Sequence, residues 1–304
     1  PGSSFAYDNR QAEIDFGYRA VHLTTVAAKT LVRSYYGRAP EYSYFEGCST
    51  GGRQGLMEAQ RYPGDFDGIV AGAPANYYQD MNAVRVWLLQ RMFRDDFAGA
   101  LAFDTDGDGR FDSVRKMDML ADAVIARCDR NDGIKDSVID DPLSCDFDPR
   151  RDLADQRCAG DVDADDCFTA AQVQTIHDFH AGPHDSQERP IYAGKPIGSE
   201  RGWTRLFIPY TGNRFNPGAV GLGGDHLNYL FYETDPGVAP ANLIDTSRPA
   251  NRDALPPEWV WWEFDINDVP DGKGDVMRQI TDATDPDLSR FLVDNDGKLL
   301  LYHG

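Results

Sequence analysis

The pentapeptide Gly47-Cys48-Ser49-Thr50-Gly51 constrains this chain more than any other feature. It fits G-x-S-x-G and lies between two recognisable elements. Glu41 to Phe45 is short and aromatic-rich, as a buried strand would be, and Arg53 to Tyr62 has helix-forming composition ended by Pro63 and Gly64. A serine on a sharp strand-to-helix turn is a nucleophile elbow: small glycines permit the strained turn, and the hydroxyl is presented above the sheet edge. The amide after it, that of Thr50, can donate to a developing oxyanion. The competing reading is an ordinary glycine-rich turn; the strand before, the helix after and the extra Gly52 favour the elbow.

The surrounding pattern agrees. Residues 21 to 36 place Val26, Ala27, Leu31, Val32 and Tyr35 on one helical face, with Gly37 and Pro40 as the stop. Gly68 to Ala71 is a second short apolar strand, so the order is helix, strand, tight turn, helix, strand, which predicts an α/β fold with a parallel sheet. Lys298 to Tyr302 reads as a further buried strand of the same scaffold. Between them the character changes. Residues 1 to 75 hold eight acids and seven bases, so nearly all of the chain's net charge of −20 lies later, in Asp-rich irregular sequence. The expected organisation is a core segment over 1–75, an inserted module over 76–295 and a return strand over 296–304. Within the insert, Ser113 is expected to cap a helix with Val114, Met117, Leu120, Val124 and Ile125 on one face. Thr169 with Gln172 makes a capping box ahead of Val173, Ile176 and Phe179. Residues 203 to 264 carry Trp203, Trp259, Trp261 and Trp262 without clean periodicity; each tryptophan taken singly reads as core rather than substrate contact.

Composition narrows the partners. Hydrophobic residues at 41% and charged residues at 26% are those of an ordinary folded protein, and no apolar run is long enough to span a membrane. An excess of fifty acids over thirty bases repels phosphate backbones and anionic headgroups, so neither nucleic acid nor membrane is expected as a partner. Oligomeric state is left open.

The partners of a Ser49 triad are harder to place. Of the histidines after it, His177, His180, His184 and His226 fall in the insert, and His303 ends a strand where the acid should come next. The stretch ahead of Ser49 is also too short for the strands that normally precede an elbow, so the chain is expected to be an internal part of a longer protein. Five cysteines fit that view. Cys128 and Cys145 bracket one segment, Cys158 and Cys167 a shorter one, and Cys48 is left over. Locally closed pairs suit disulfides in an oxidising compartment; buried free thiols are the alternative.

Two acidic loops invite a hard cation. Between Cys128 and Cys145, the carboxylates of Asp129, Asp132 and Asp136 can converge with intervening carbonyls, Gly133 permitting the turn, and Ca2+ is the natural occupant. The loop Asp104 to Asp112 begins like an EF-hand with Asp104, Asp106, Asp108, Gly109 and Asp112, yet Arg115 stands where a bidentate acid belongs. For both, a solvated acidic loop is the alternative.

Asp15 to Thr25 (DFGYRAVHLTT), Tyr44 to Ala75, the loop Cys128 to Cys145 and the terminal GKLLLYHG together resemble the tannase and feruloyl esterase family, in order and over nearly the whole chain. The resemblance implies an α/β-hydrolase core with a large inserted lid, and a secreted or periplasmic serine esterase. Its substrate would be a small aromatic ester, feruloyl, galloyl or terephthalate, free or linked to a plant polymer. It implies Ser49 as nucleophile, with the acid and histidine beyond Gly304. It implies that Cys48 pairs with a cysteine beside that histidine, also beyond Gly304. It also implies lid disulfides Cys128 with Cys145 and Cys158 with Cys167, and a calcium site of Asp129, Asp132 and Asp136 with the carbonyls of Ile134 and Val138. A calcium-stabilised binding module without serine reactivity is the second reading.

Overall fold

Three parallel strands carry the elbow: β1 (Tyr44–Cys48), β2 (Gly68–Gly72) and β3 (Lys298–Tyr302), in the order β1-β2-β3. The register sets Tyr44 opposite Gly68 and Gly68 opposite Lys298, and continues to Cys48, Gly72 and Tyr302. The computed structural model describes residues 2–209, 218–236 and 261–303. Tyr210, Trp259 and Gly304 lie outside them.

Helix α1 (Ala20–Tyr36) ends at Gly37, whose φ of 69° is the left-handed stop that glycine allows. Its apolar face is bare in this chain, with Leu31 at 70% and Tyr35 at 82% exposure. Helix α2 (Thr50–Arg61) follows β1 directly and covers β2, so that Leu56, Met57 and Ala59 pack with Ile69 and Ala71. That cluster also takes in Ala283 and Phe291. A separate and larger apolar cluster gathers helices α3 (Tyr78–Phe97), α4 (Arg115–Cys128) and α5 (Ala170–Ala181) around Leu88, Met92, Leu120, Phe168 and Phe179. Trp203 and Trp261 are buried in it and Trp262 packs against it, as the core reading predicts. Further along lie helices α6 (Glu200–Leu206) and α7 (Asp275–Thr281), with π-helical turns at Val220–Gly224 and Leu227–Phe231 between them.

Several expectations shift. The strand predicted at Glu41–Phe45 runs instead from Tyr44 to Cys48, because backbone pairing with β2, not aromatic content, sets its ends. Helix α2 starts at Thr50, so the serine follows the strand and precedes the helix with nothing between. Val114, not Ser113, occupies the cap of α4, although Ser113 Oγ still accepts from Arg115 N–H at 3.3 Å. The Thr169–Gln172 capping box forms with both reciprocal bonds. Both local disulfides form, Cys128–Cys145 with Cα atoms 5.5 Å apart and Cys158–Cys167 with 4.9 Å.

Arg53 bolts the elbow helix to the rest. Fully buried, it donates to the carbonyls of Gly17, Thr281 and Phe16 at 2.8, 2.9 and 3.2 Å, with its guanidinium over the rings of Phe16 and Tyr78. Burial lowers its pKa, a pull that Tyr78 and Asp282 oppose.

Candidate active site at the strand-to-helix turn

Ser49 has φ 60° and ψ −118°, a conformation that costs a non-glycine residue of order 1–3 kcal/mol and persists only where the surroundings impose it. They impose it here through backbone bonds. Ser49 N–H donates to the Gly72 carbonyl at 2.9 Å, and the Ser49 carbonyl accepts from Arg53 and Ala75 amides at 3.0 and 3.1 Å. The flanking glycines explain how the turn closes. A β-carbon on Gly47 would lie 2.6 Å from the Gly51 carbonyl carbon, and one on Gly52 would lie 2.5 Å from the Gly72 oxygen. The result is an exposed serine at the N-terminus of α2, next to the C-terminal end of β1. Among the described residues no acceptor meets the Thr50 amide, which is left pointing out of the helix start.

Behind the turn the environment is tight. Tyr78, on the first turn of α3, has its phenol pKa raised by burial, while Arg53, Arg85 and the Thr50 and Asn82 side chains pull the other way. His226 is 1% exposed, sets its ring edge-on to Tyr78 at 5.0 Å and meets Gln79 Oε1 through Nε2 at 3.0 Å. Burial, with Arg85 and Arg53 nearby, pushes its pKa down to about 3, so it is a neutral structural ring. The other insert histidines are engaged elsewhere: His177 with Asp178, His180 with the Lys195 carbonyl, His184 with the Gly182 carbonyl. Among the described residues none is hydrogen-bonded to Ser49. Cys48 is exposed and free among the described residues.

In the loop closed by Cys128–Cys145, the carboxylates are turned onto loop amides. Asp129, 4% exposed, accepts from Asp136 and Ser137 N–H, Asp132 from Ile134 N–H at 2.8 Å, and Asp136 from Val138 N–H at 3.0 Å. These three carboxylates are not among the groups whose ligand atoms come within 4.8 Å of one another. The loop does bring in Asp140, which sequence spacing missed: a hydrogen bond and the like charge of Asp132 raise its pKa. The ligand atoms that these carboxylates and the loop carbonyls can offer are oxygens, the kind a hard cation takes. In the second loop Asp104, Asp106 and Asp108 do lie within that distance, with Gly107 and Gly109 at φ 77° and 87°. Asp112 there accepts from Thr105, and Arg115 belongs to α4.

The chain as a whole resembles known proteins. The family described as tannase and feruloyl esterase matches residues 2–304. An uncharacterized esterase of Xanthomonas campestris is 33% identical across 99% of this chain and 47% of its own length. The mono(2-hydroxyethyl) terephthalate hydrolase of Piscinibacter sakaiensis is 30% identical across 97% of this chain and 50% of its own. The crystal structure of feruloyl esterase B from Aspergillus oryzae superposes with a TM-score of 0.73 at 24% identity, over 100% of this chain and 52% of that one. The fold is that of the α/β-hydrolases. The chain spans about half the length of the curated relatives it matches.

Proposed function

Because the chain belongs to the tannase and feruloyl esterase family, we propose that it supplies the nucleophile of a serine esterase acting on small aromatic carboxylic esters. The observation that carries this reading is the strained backbone of Ser49 at the junction of β1 and α2. Strain of that size is retained where a side chain must be held in one place, and here the side chain held is a hydroxyl.

Ser49 Oγ attacks the ester carbonyl, the alcohol leaves, and water releases the acid from the acyl-enzyme. The Thr50 amide, without an acceptor among the described residues and at the positive end of α2, donates to the tetrahedral oxyanion. The acid and the histidine that activate Ser49 are assigned to residues beyond Gly304. Cys48, beside the nucleophile and exposed, is assigned to a disulfide with a cysteine in the same region.

Ca2+ is proposed at Asp129, Asp132 and Asp136 with the carbonyls of Ile134 and Val138. A bound cation there neutralises a crowded acidic loop and takes no part in bond making. Two formed disulfides support a secreted or periplasmic location, where oxidised cysteines persist. Among the described residues no helix is long and apolar enough to cross a membrane.

The test uses the full-length protein. A fluorophosphonate should add one label per chain in the wild type and none in Ser49→Ala, with turnover of feruloyl, galloyl or terephthalate monoesters lost in parallel. A wild-type protein that folds and stays unlabelled would instead be a binding module.

A further inference from the structure

A second group of reactive side chains lies at the far end of α2, about 13 Å along its axis from Ser49. His22 on α1, Glu58 on α2 and Asp65 in the turn leading to β2 offer ligand atoms that all fall within 4.8 Å of one another. His22 Nδ1 lies 2.6 Å from Asp65 Oδ2, and the imidazole is stacked on Tyr62 at 3.9 Å and 6°, which sets its plane. Lys29 Nζ donates to the Asp65 main-chain carbonyl and leaves the carboxylate free of it.

Glu58 is the unexplained member. It is 1% exposed, and neither carboxyl oxygen touches solvent or finds a hydrogen-bond donor. Such a group is ordinarily paired, because a carboxylate withdrawn from water without a donor or counter-charge is strongly disfavoured. What faces it is the Asp65 carboxylate, near enough to share a proton with it, and the His22 imidazole, itself already paired with Asp65.

We propose that His22, Glu58 and Asp65 form a binding site for a divalent transition-metal ion of the zinc class. One imidazole nitrogen and two carboxylate oxygens are three ligands of the kinds zinc accepts, and they leave a fourth position for water. Calcium is a poor fit, since it takes six to eight oxygens. The His22 and Asp65 side chains are 27% and 14% exposed, so the site is reached from solvent on the side opposite Glu58. The ion would clamp α1 onto α2, away from the ester chemistry.

The test is a zinc titration of the full-length protein, stripped of metal and then saturated with calcium so that the acidic loops are occupied. One equivalent of zinc per chain is expected by calorimetry, and cobalt should give visible d–d bands of a low-coordinate site. Glu58→Gln, close in shape, and His22→Gln should each weaken zinc binding at least about 100-fold, more than changes outside the ligand set produce, with calcium binding unaltered. Absence of stoichiometric zinc binding in the wild type overturns the proposal and leaves Glu58 as a protonated carboxyl shared with Asp65. Binding that survives both substitutions overturns it too, and places the zinc on ligands other than these three.

Discussion

Gly47 and Gly51 meet backbone to backbone across the elbow: a β-carbon on Gly47 would stand 2.6 Å from both the carbonyl carbon and the oxygen of Gly51. The first glycine of the motif is therefore a packing requirement, since the helix start folds directly over the end of β1. Gly47→Ala should lower stability by about 1–3 kcal/mol, the usual cost of forcing a methyl into filled space. It should also slow phosphonate labelling of Ser49 by displacing the turn. Unchanged melting temperature and labelling rate would show that the turn relaxes freely.

Ser49 carries the opposite trade. With φ at 60°, replacement by glycine relieves the strain, so Ser49→Gly should be more stable than wild type by about 1 kcal/mol while losing all turnover. Ser49→Ala should lose turnover without the gain in stability. Urea denaturation of the three proteins separates them.

Arg53 should tolerate little. Its guanidinium reaches three main-chain carbonyls, those of Gly17 and Thr281 through Nη1 and that of Phe16 through Nη2, a spread that lysine's single nitrogen does not offer. Arg53→Ala should destabilise by about 3 kcal/mol or more, the cost of leaving three buried carbonyls without their donors, and Arg53→Lys by a large part of that, read from chemical denaturation. Labelling of Ser49 should fall in the same order, because the arginine sits one turn into α2.

Lys195 links stability to pH. Burial, helped by the charge of Arg85, lowers its pKa to about 8 from an ordinary 10.5. Between those values the unfolded chain binds more protons than the folded one, so this group's contribution makes stability rise as pH climbs from about 8 to 10.5. In Lys195→Met that rise should vanish, and the variant should be the more stable protein at pH 7. A stability difference between the two that does not change over this range would exclude the linkage.

The loop closed by Cys128 and Cys145 combines a cross-link with the proposed cation. Chelating calcium should lower the melting temperature of wild type, and Asp129→Asn should remove most of that response. Opening the disulfide by replacing both cysteines with alanine should cost about 3 kcal/mol for a loop of this length. A melting temperature indifferent to chelation would place no structural calcium there.

Local chemistry was legible from the residues alone. The pentapeptide around Ser49, the capping box at Thr169 and Gln172, the strand at Lys298 to Tyr302 and the two short-range cysteine pairs depend on neighbours in sequence, and the structure forms each, although that strand is largely exposed rather than buried as its composition predicts. The helix over residues 200 to 206 and the π-turns after Val220 are not legible: the first is a single short run, the turn at Val220–Gly224 is glycine-rich with weak helical preference, and long-range burial decides them. The same holds for the start of β1, where Tyr44 is set by pairing with Gly68 on β2. What only the tertiary structure decided is which distant groups share a neighbourhood. His22, Glu58 and Asp65 carry no common motif, and Arg53 finds its three carbonyls on segments up to 228 positions away. Sequence specifies backbone torsions and their periodicity; the pairing of remote polar groups follows from how the packed elements exclude water around them.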